Sequence, residues 1–89
     1  MKSEKDFEKE LRAEGFSGIF VHRDSPYAFY PEHTHRGITA HIVLEGRITV
    51  TSEGNTATYG PGERFDVPAG TVHSAKIGPE GCRYMIGEK

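Results

Sequence analysis

The sequence predicts an all-β fold, an antiparallel sandwich or barrel, behind one short N-terminal helix. Three observations point there. From Phe16 onward, short runs of β-branched and aromatic residues alternate with Gly, Pro and Asn, which is the texture of many short strands. Turn signals recur about every eight to twelve residues, as in sheets joined by tight loops. No stretch with a helical apolar repeat separates the strands, which favours an antiparallel arrangement over a βαβ one. With 89 residues, 35% of them hydrophobic, there is room for one domain with a thin core. So thin a core predicts added stability from a homodimer and from any metal that binds only the folded state.

The helix belongs to the segment 1–15. Ser3 is placed to cap it, Asp6 stands where a capping box carries its acid, and Phe7 and Leu11 share a face. Glu8 and Arg12 are spaced as an i, i+4 pair, and Gly15 is a stop signal. The apolar stripe is narrow, so the helix is expected to pack loosely, as a solvated lid or a dimer arm. The β domain spans 16–89, with strands expected at Ile19–His22, Ala28–Tyr30, Ala40–Leu44, Arg47–Thr51, Thr56–Tyr59, Arg64–Val67, Ser74–Ile77 and Arg83–Ile86. Glu45-Gly46 and Gly54-Asn55 are expected to be tight hairpin turns, because Gly and Asn tolerate positive φ. Gly60-Pro61-Gly62 and Gly78-Pro79 mark loops.

Charge and cysteine content narrow the function classes. Formal net charge is −2, with both signs mixed along the chain and no basic block, which argues against a nucleic-acid partner. No apolar run approaches bilayer length, and Met1 to Glu10 lack the apolar stretch of a secretory signal. Cys82 is the only cysteine, so no internal disulfide can form, and the cytoplasm is the expected location.

The candidate chemistry lies in the histidines. His33 and His35 are separated by one residue, a spacing that points both imidazoles to one face of a strand. His73 follows Pro68-Ala69-Gly70-Thr71-Val72, where proline and glycine fix a sharp turn before the next strand. In a closed barrel that histidine faces the first pair across the interior. Three converging neutral imidazoles suit one divalent transition metal (Fe, Ni, Mn, Cu or Zn) and leave positions open for water or substrate.

The stretch from Gly62 to His73 matches the pattern G-x5-P-x-G-x2-H at every fixed position, and His33-Thr34-His35 is followed by Val43-Leu44-Glu45-Gly46. In both stretches the chain resembles the cupin family, from about Tyr27 to Ile86. The resemblance implies a small jelly-roll barrel with a metal site inside, commonly dimeric. Three positions depart from the family pattern. Ile77 stands where the second motif usually has Asn, and Tyr27 stands where the first usually has Gly. Thr39 stands where the family has an acidic ligand, and a threonine cannot replace that carboxylate. His41, two residues further on the same strand face, is the candidate to compensate. The site is then one of four histidines, His33, His35, His41 and His73, or of three, as in thiol-dioxygenase-like cupins. In the three-histidine case His41 orients a ligand or substrate from within the pocket. Either set is uncharged, so the metal keeps its positive charge and favours an anionic ligand.

Other residues are read more plainly. His22 lies outside both motifs and is taken as an ordinary strand residue. Tyr27, Phe29, Phe65 and Tyr84 either line the barrel mouth or fill the core, and core is the commoner use. Asp66 is expected on the solvated side, Cys82 in the core, and Arg36, Arg47 and Arg64 are unplaced. Three functions compete: a metal-dependent dioxygenase on a small anionic substrate, a non-redox isomerase, lyase or hydrolase, and a ligand- or metal-binding module without turnover.

Overall fold

A computed structural model describes residues 2–89. One helix, α1 (Glu4–Ala13), precedes six strands: β1 (Ser17–Asp24), β2 (Phe29–His33), β3 (Thr39–Ser52), β4 (Asn55–Tyr59), β5 (Arg64–Val67) and β6 (His73–Glu88). Every strand pairing is antiparallel. The fold is built on β3 and β6, which pair from Thr39↔Glu88 to Ser52↔His73. One half of this ribbon carries β1 and β5 on its flanks, and the other carries β2 and β4. The hydrogen bonding does not close on itself, so the barrel stays open between its outer strands.

The expected pairs of strands Ala40–Leu44 with Arg47–Thr51, and Ser74–Ile77 with Arg83–Ile86, are each one continuous strand. Glu45-Gly46 is not a hairpin turn but a bulge, with register shifts on both sides of it. Gly78-Pro79 lies within a second irregularity, where residues 78–81 stand opposite Arg47. A bulge bends a strand without releasing its partner, and the two irregularities, one on β3 and one on β6, lie at the same level. There, Gly46 and Gly81 have φ of +78° and +79°, and a Cβ on Gly46 would lie 2.0 Å from the Gly81 carbonyl oxygen. The β3–β4 turn is centred one residue earlier than expected. Glu53 and Gly54 both have positive φ and close Ser52 against Asn55, the geometry a two-residue hairpin needs.

Alternation along the strands divides the apolar residues between two clusters. Val43, Ile48, Val50, Ala75, Ile77, Cys82 and Tyr84 pack between the two halves of the sheet. Ala40, Ile42 and Met85 point the other way and meet Leu11 and Phe16 beneath α1. The helix is not held loosely, because Leu11 is fully buried, although most of its surface stays exposed to solvent. Its capping box is complete, Glu8 pairs with Arg12, and Arg64 and Arg83 of the sheet bind Glu14 and Glu4 at its two ends. A narrow stripe suffices, because Leu11, seated over Ala40 and Gly87, and the half-buried Phe7 together close the contact. Among the described residues, no helix is long and apolar enough to cross a membrane.

Candidate metal centre

His33 ends β2 and His73 begins β6, and the two are direct cross-strand partners. His35 follows β2 in a loop tied down by the Gly70 amide, which donates to the His35 carbonyl at 3.0 Å. That bond joins the loop carrying the first histidine pair to the Pro68–Gly70 turn that delivers His73. The three rings gather with centroids 4.1 Å (His33–His73), 4.9 Å (His33–His35) and 5.0 Å (His35–His73) apart. One ring nitrogen from each lies within 4.8 Å of the others.

Hydrogen bonding settles which nitrogens are free. His33 Nδ1 lies 2.8 Å from the Pro31 carbonyl and His73 Nδ1 lies 3.1 Å from the Thr71 carbonyl. A carbonyl can only accept, so each Nδ1 carries the proton, which leaves Nε2 with the lone pair in the neutral ring. Such outer hydrogen bonds orient metal-binding imidazoles. Burial, with the neighbouring His73 and His33, holds the His35 imidazole below its ordinary pKa and so favours its neutral form. The donor set fits a divalent transition metal held by nitrogen.

His41 lies outside this group of three. It lines the same cavity, stacked on Phe65 with centroids 4.4 Å apart and planes 6° from parallel. Its Nδ1 is buried without a hydrogen-bond partner among the described residues, as is the Thr39 hydroxyl. Burial, reinforced by His35 and His73, pushes the His41 pKa down to about 4.

The cavity holds about 200 Å³ between the two sheet halves, with the three histidines on one wall. His22, Tyr30 and Tyr84 line it too. These three converge on the buried carboxylate of Asp24, with His22 Nε2 at 2.9 Å, the Tyr30 hydroxyl at 2.5 Å and the Tyr84 hydroxyl at 2.7 Å. Burial alone would raise the Asp24 pKa, but the hydrogen bonds from Tyr30, Tyr84 and His22 outweigh it and hold it low. Burial and the Asp24 charge raise both phenols.

The cupin domain family matches residues 21–86. This chain belongs to that family. Its cupin fold is similar to that of a protein of unknown function from Rhizobium leguminosarum bv. viciae, with a TM-score of 0.75 and 26% identity over 99% of this chain and 95% of that one. A cupin superfamily protein from Desulfitobacterium hafniense gives a TM-score of 0.71 at 18% identity, covering 79% of this chain and 63% of that one. The DMSP lyase DddQ from Ruegeria pomeroyi gives 0.73 at 21% identity, covering 80% of this chain. The cupin described here thus spans less than two thirds of the D. hafniense chain and 36% of DddQ. No curated protein matches the sequence.

The departures from the cupin pattern acquire a physical meaning. Tyr27, standing where the family pattern has glycine, adopts the left-handed backbone that glycine takes most easily, at φ +62°. Ile77, in place of the asparagine, is fully buried in the inner core. Thr39 is buried and offers only an unpartnered hydroxyl. Of the aromatics, Phe65 and Tyr84 line the cavity, whereas Tyr27 and Phe29 are exposed. Asp66 faces outward against Arg64, and none of Arg36, Arg47 or Arg64 lines the cavity. Cys82 is buried in the core. His22 lies on β1 as expected, and it also lines the cavity and bonds Asp24, which the sequence expectations leave out. The signal was the spacing His22-x-Asp24, which puts both side chains on one strand face.

Proposed function

We propose that this cupin is a metal-dependent enzyme acting on a small anionic substrate, with His33, His35 and His73 holding one divalent transition metal (Fe, Ni, Mn, Cu or Zn). The observation that carries this reading is the convergence of three ring nitrogens within 4.8 Å, two of the rings fixed by backbone carbonyls. A metal held there supplies a Lewis-acid centre with open positions for a substrate. The protein's own part is to shape and charge the space beside it. All three donors are neutral, and neither Lys nor Arg lines the cavity, so a bound anion finds its positive partner at the metal. The volume of about 200 Å³ restricts the ligand to a small molecule. His41, neutral and clamped against Phe65, positions that ligand from the β3 side; direct ligation by it would require its ring to swing towards the other three.

Two reaction classes use such a site. Lyase or isomerase chemistry is favoured by the His22–Asp24 pair in the same cavity, which is suited to proton transfer. DddQ, of similar fold, is a lyase. The carboxylate-free donor set at Thr39 supports the second class, a dioxygenase. A homodimer and a cytoplasmic location complete the proposal. Edge strand β1 exposes Phe20 and Val21, and the lone thiol of Cys82 suits a reducing compartment.

Elemental analysis of untagged protein, with the His33→Ala and His73→Ala variants alongside, tests the reading. Near-stoichiometric metal that is absent from both variants is the expected result. Activity supported equally by Zn and by redox-active metals selects the lyase or isomerase class, and oxygen consumption by the iron form selects the dioxygenase. Ligand binding without product identifies a binding module instead. No metal after reconstitution overturns the proposal.

A further inference from the structure

We propose that His22 is the general base and acid of the cavity, with Asp24 as its positioning residue, and that the pair acts on a small carboxylate whose C–H bond is acidified by an adjacent carbonyl. The proposal rests on the metal-site reading above for the placement of the carboxylate, and it adds the group that moves the proton. Asp24 is 8% exposed, yet its carboxylate draws donors from three strands: His22 on β1, Tyr30 on β2 and Tyr84 on β6. A buried carboxylate is seldom a gain for stability alone, since an apolar residue of similar volume does as well or better. What this one accomplishes is orientation. Because an ionised carboxylate only accepts, His22 Nε2 carries the proton and Nδ1 is left as the basic atom of the ring. The side chain is 42% exposed and the ring lines the cavity, so a ligand bound there can reach it.

Its neighbours are unsuited to the same task. Tyr30 and Tyr84 both donate their hydroxyl protons to Asp24, and burial beside that charge keeps them protonated. They serve as fixed donors. The network also adjoins the three histidines: the Tyr30 ring lies 6.4 Å from that of His33, while its hydroxyl lies 3.4 Å from His22 Nε2. A ligand anchored by its carboxylate at the three histidines shares one cavity with His22. There, Nδ1 removes the proton, the C–H electron pair passes into the substrate's own carbonyl, and the imidazolium is stabilised by Asp24. Return of a proton from Nδ1 to carbon reforms the C–H bond and restores the neutral ring, with no oxidant or reductant involved.

Pyruvate is the probe, and the experiment uses the full chain loaded with Zn. Replacement of its methyl protons by deuterium in D₂O is followed by ¹H NMR, while zinc content and pyruvate binding are measured separately. Exchange in the wild type is expected to exceed that in zinc-containing buffer. His22→Gln should slow it by about 10² or more, with zinc content, pyruvate binding and thermal stability retained. Asp24→Asn should slow it as well. In the zinc-free protein, ¹⁵N NMR should show His22 protonated at Nε2 in the wild type and a mixture of tautomers in Asp24→Asn. Zinc-loaded wild type that fails to bind pyruvate or to exchange it overturns the proposal, as does exchange unchanged in His22→Gln. Failure to take up zinc at all is a separate outcome that sinks the metal-site reading.

Discussion

Truncating Leu11 to alanine tests how the helix belongs to the fold. The side chain is fully buried against Ala40, Ile42, Met85 and Phe16. The substitution removes three carbons, worth about 0.8 kcal/mol each on transfer from water, or about 2.4 kcal/mol. The hole left behind adds to this, because the sheet beneath Leu11 can close only partly, and the total comes to about 3–4 kcal/mol. In a chain of 89 residues, each kcal/mol shifts Tm by about 4–8 °C, which gives a fall of about 12 °C or more. Circular dichroism melts of the wild type and Leu11→Ala provide the assay, with Glu4→Gln as a control. Glu4 contacts Arg83 in an exposed ion pair, so its loss should cost under about 1 kcal/mol. A fall of less than about 5 °C for Leu11→Ala would refute the reasoning and restore the helix to the role of a peripheral arm.

Three further predictions follow from single features of the structure. His41, at a folded pKa of about 4 against an ordinary 6.5, stabilises the fold above pH 6.5, and this contribution is lost as pH falls towards 4. The loss is about 3 kcal/mol, so urea unfolding at pH 7 and pH 4 should show a steeper decline for the wild type than for His41→Leu. Gly46→Ala drives a methyl group into the Gly81 carbonyl and strains a left-handed backbone; urea titration should show a loss of about 3 kcal/mol or more, or no folded protein. Analytical ultracentrifugation at micromolar concentration should give a dimer, and a monomer would remove Phe20 and Val21 of the β1 edge from consideration as an interface.

The legible part of the fold was the part written in local chemistry. Ser3 with Asp6 announced the capping box, and the turn residues placed every sheet segment close to where it lies. The continuity of β3 and β6 was not legible, because glycine at a bulge and glycine at a turn look alike until the partner strand is known. Only the tertiary approach of Gly46 to Gly81 distinguishes them. The site divides in the same way. His33, His35 and His73 stand in motifs with characteristic spacing, and the structure gathers them. His41 was legible as a residue of the cavity wall, but strand alternation fixes only its face and not its distance from the others. Asp24 was invisible for a different reason, since the tyrosines that give it meaning arrive from β2 and β6.

The rings of His33 and His73 are steadied by the carbonyls of Pro31 and Thr71 rather than by any side chain. Every amino acid supplies such a carbonyl, so most point substitutions at positions 31 and 71 leave the acceptors in place. A site oriented in this way is robust to mutational drift around it. Its neighbours along the cavity wall can diversify, and with them the chemistry on offer, while the grip on the two imidazoles persists.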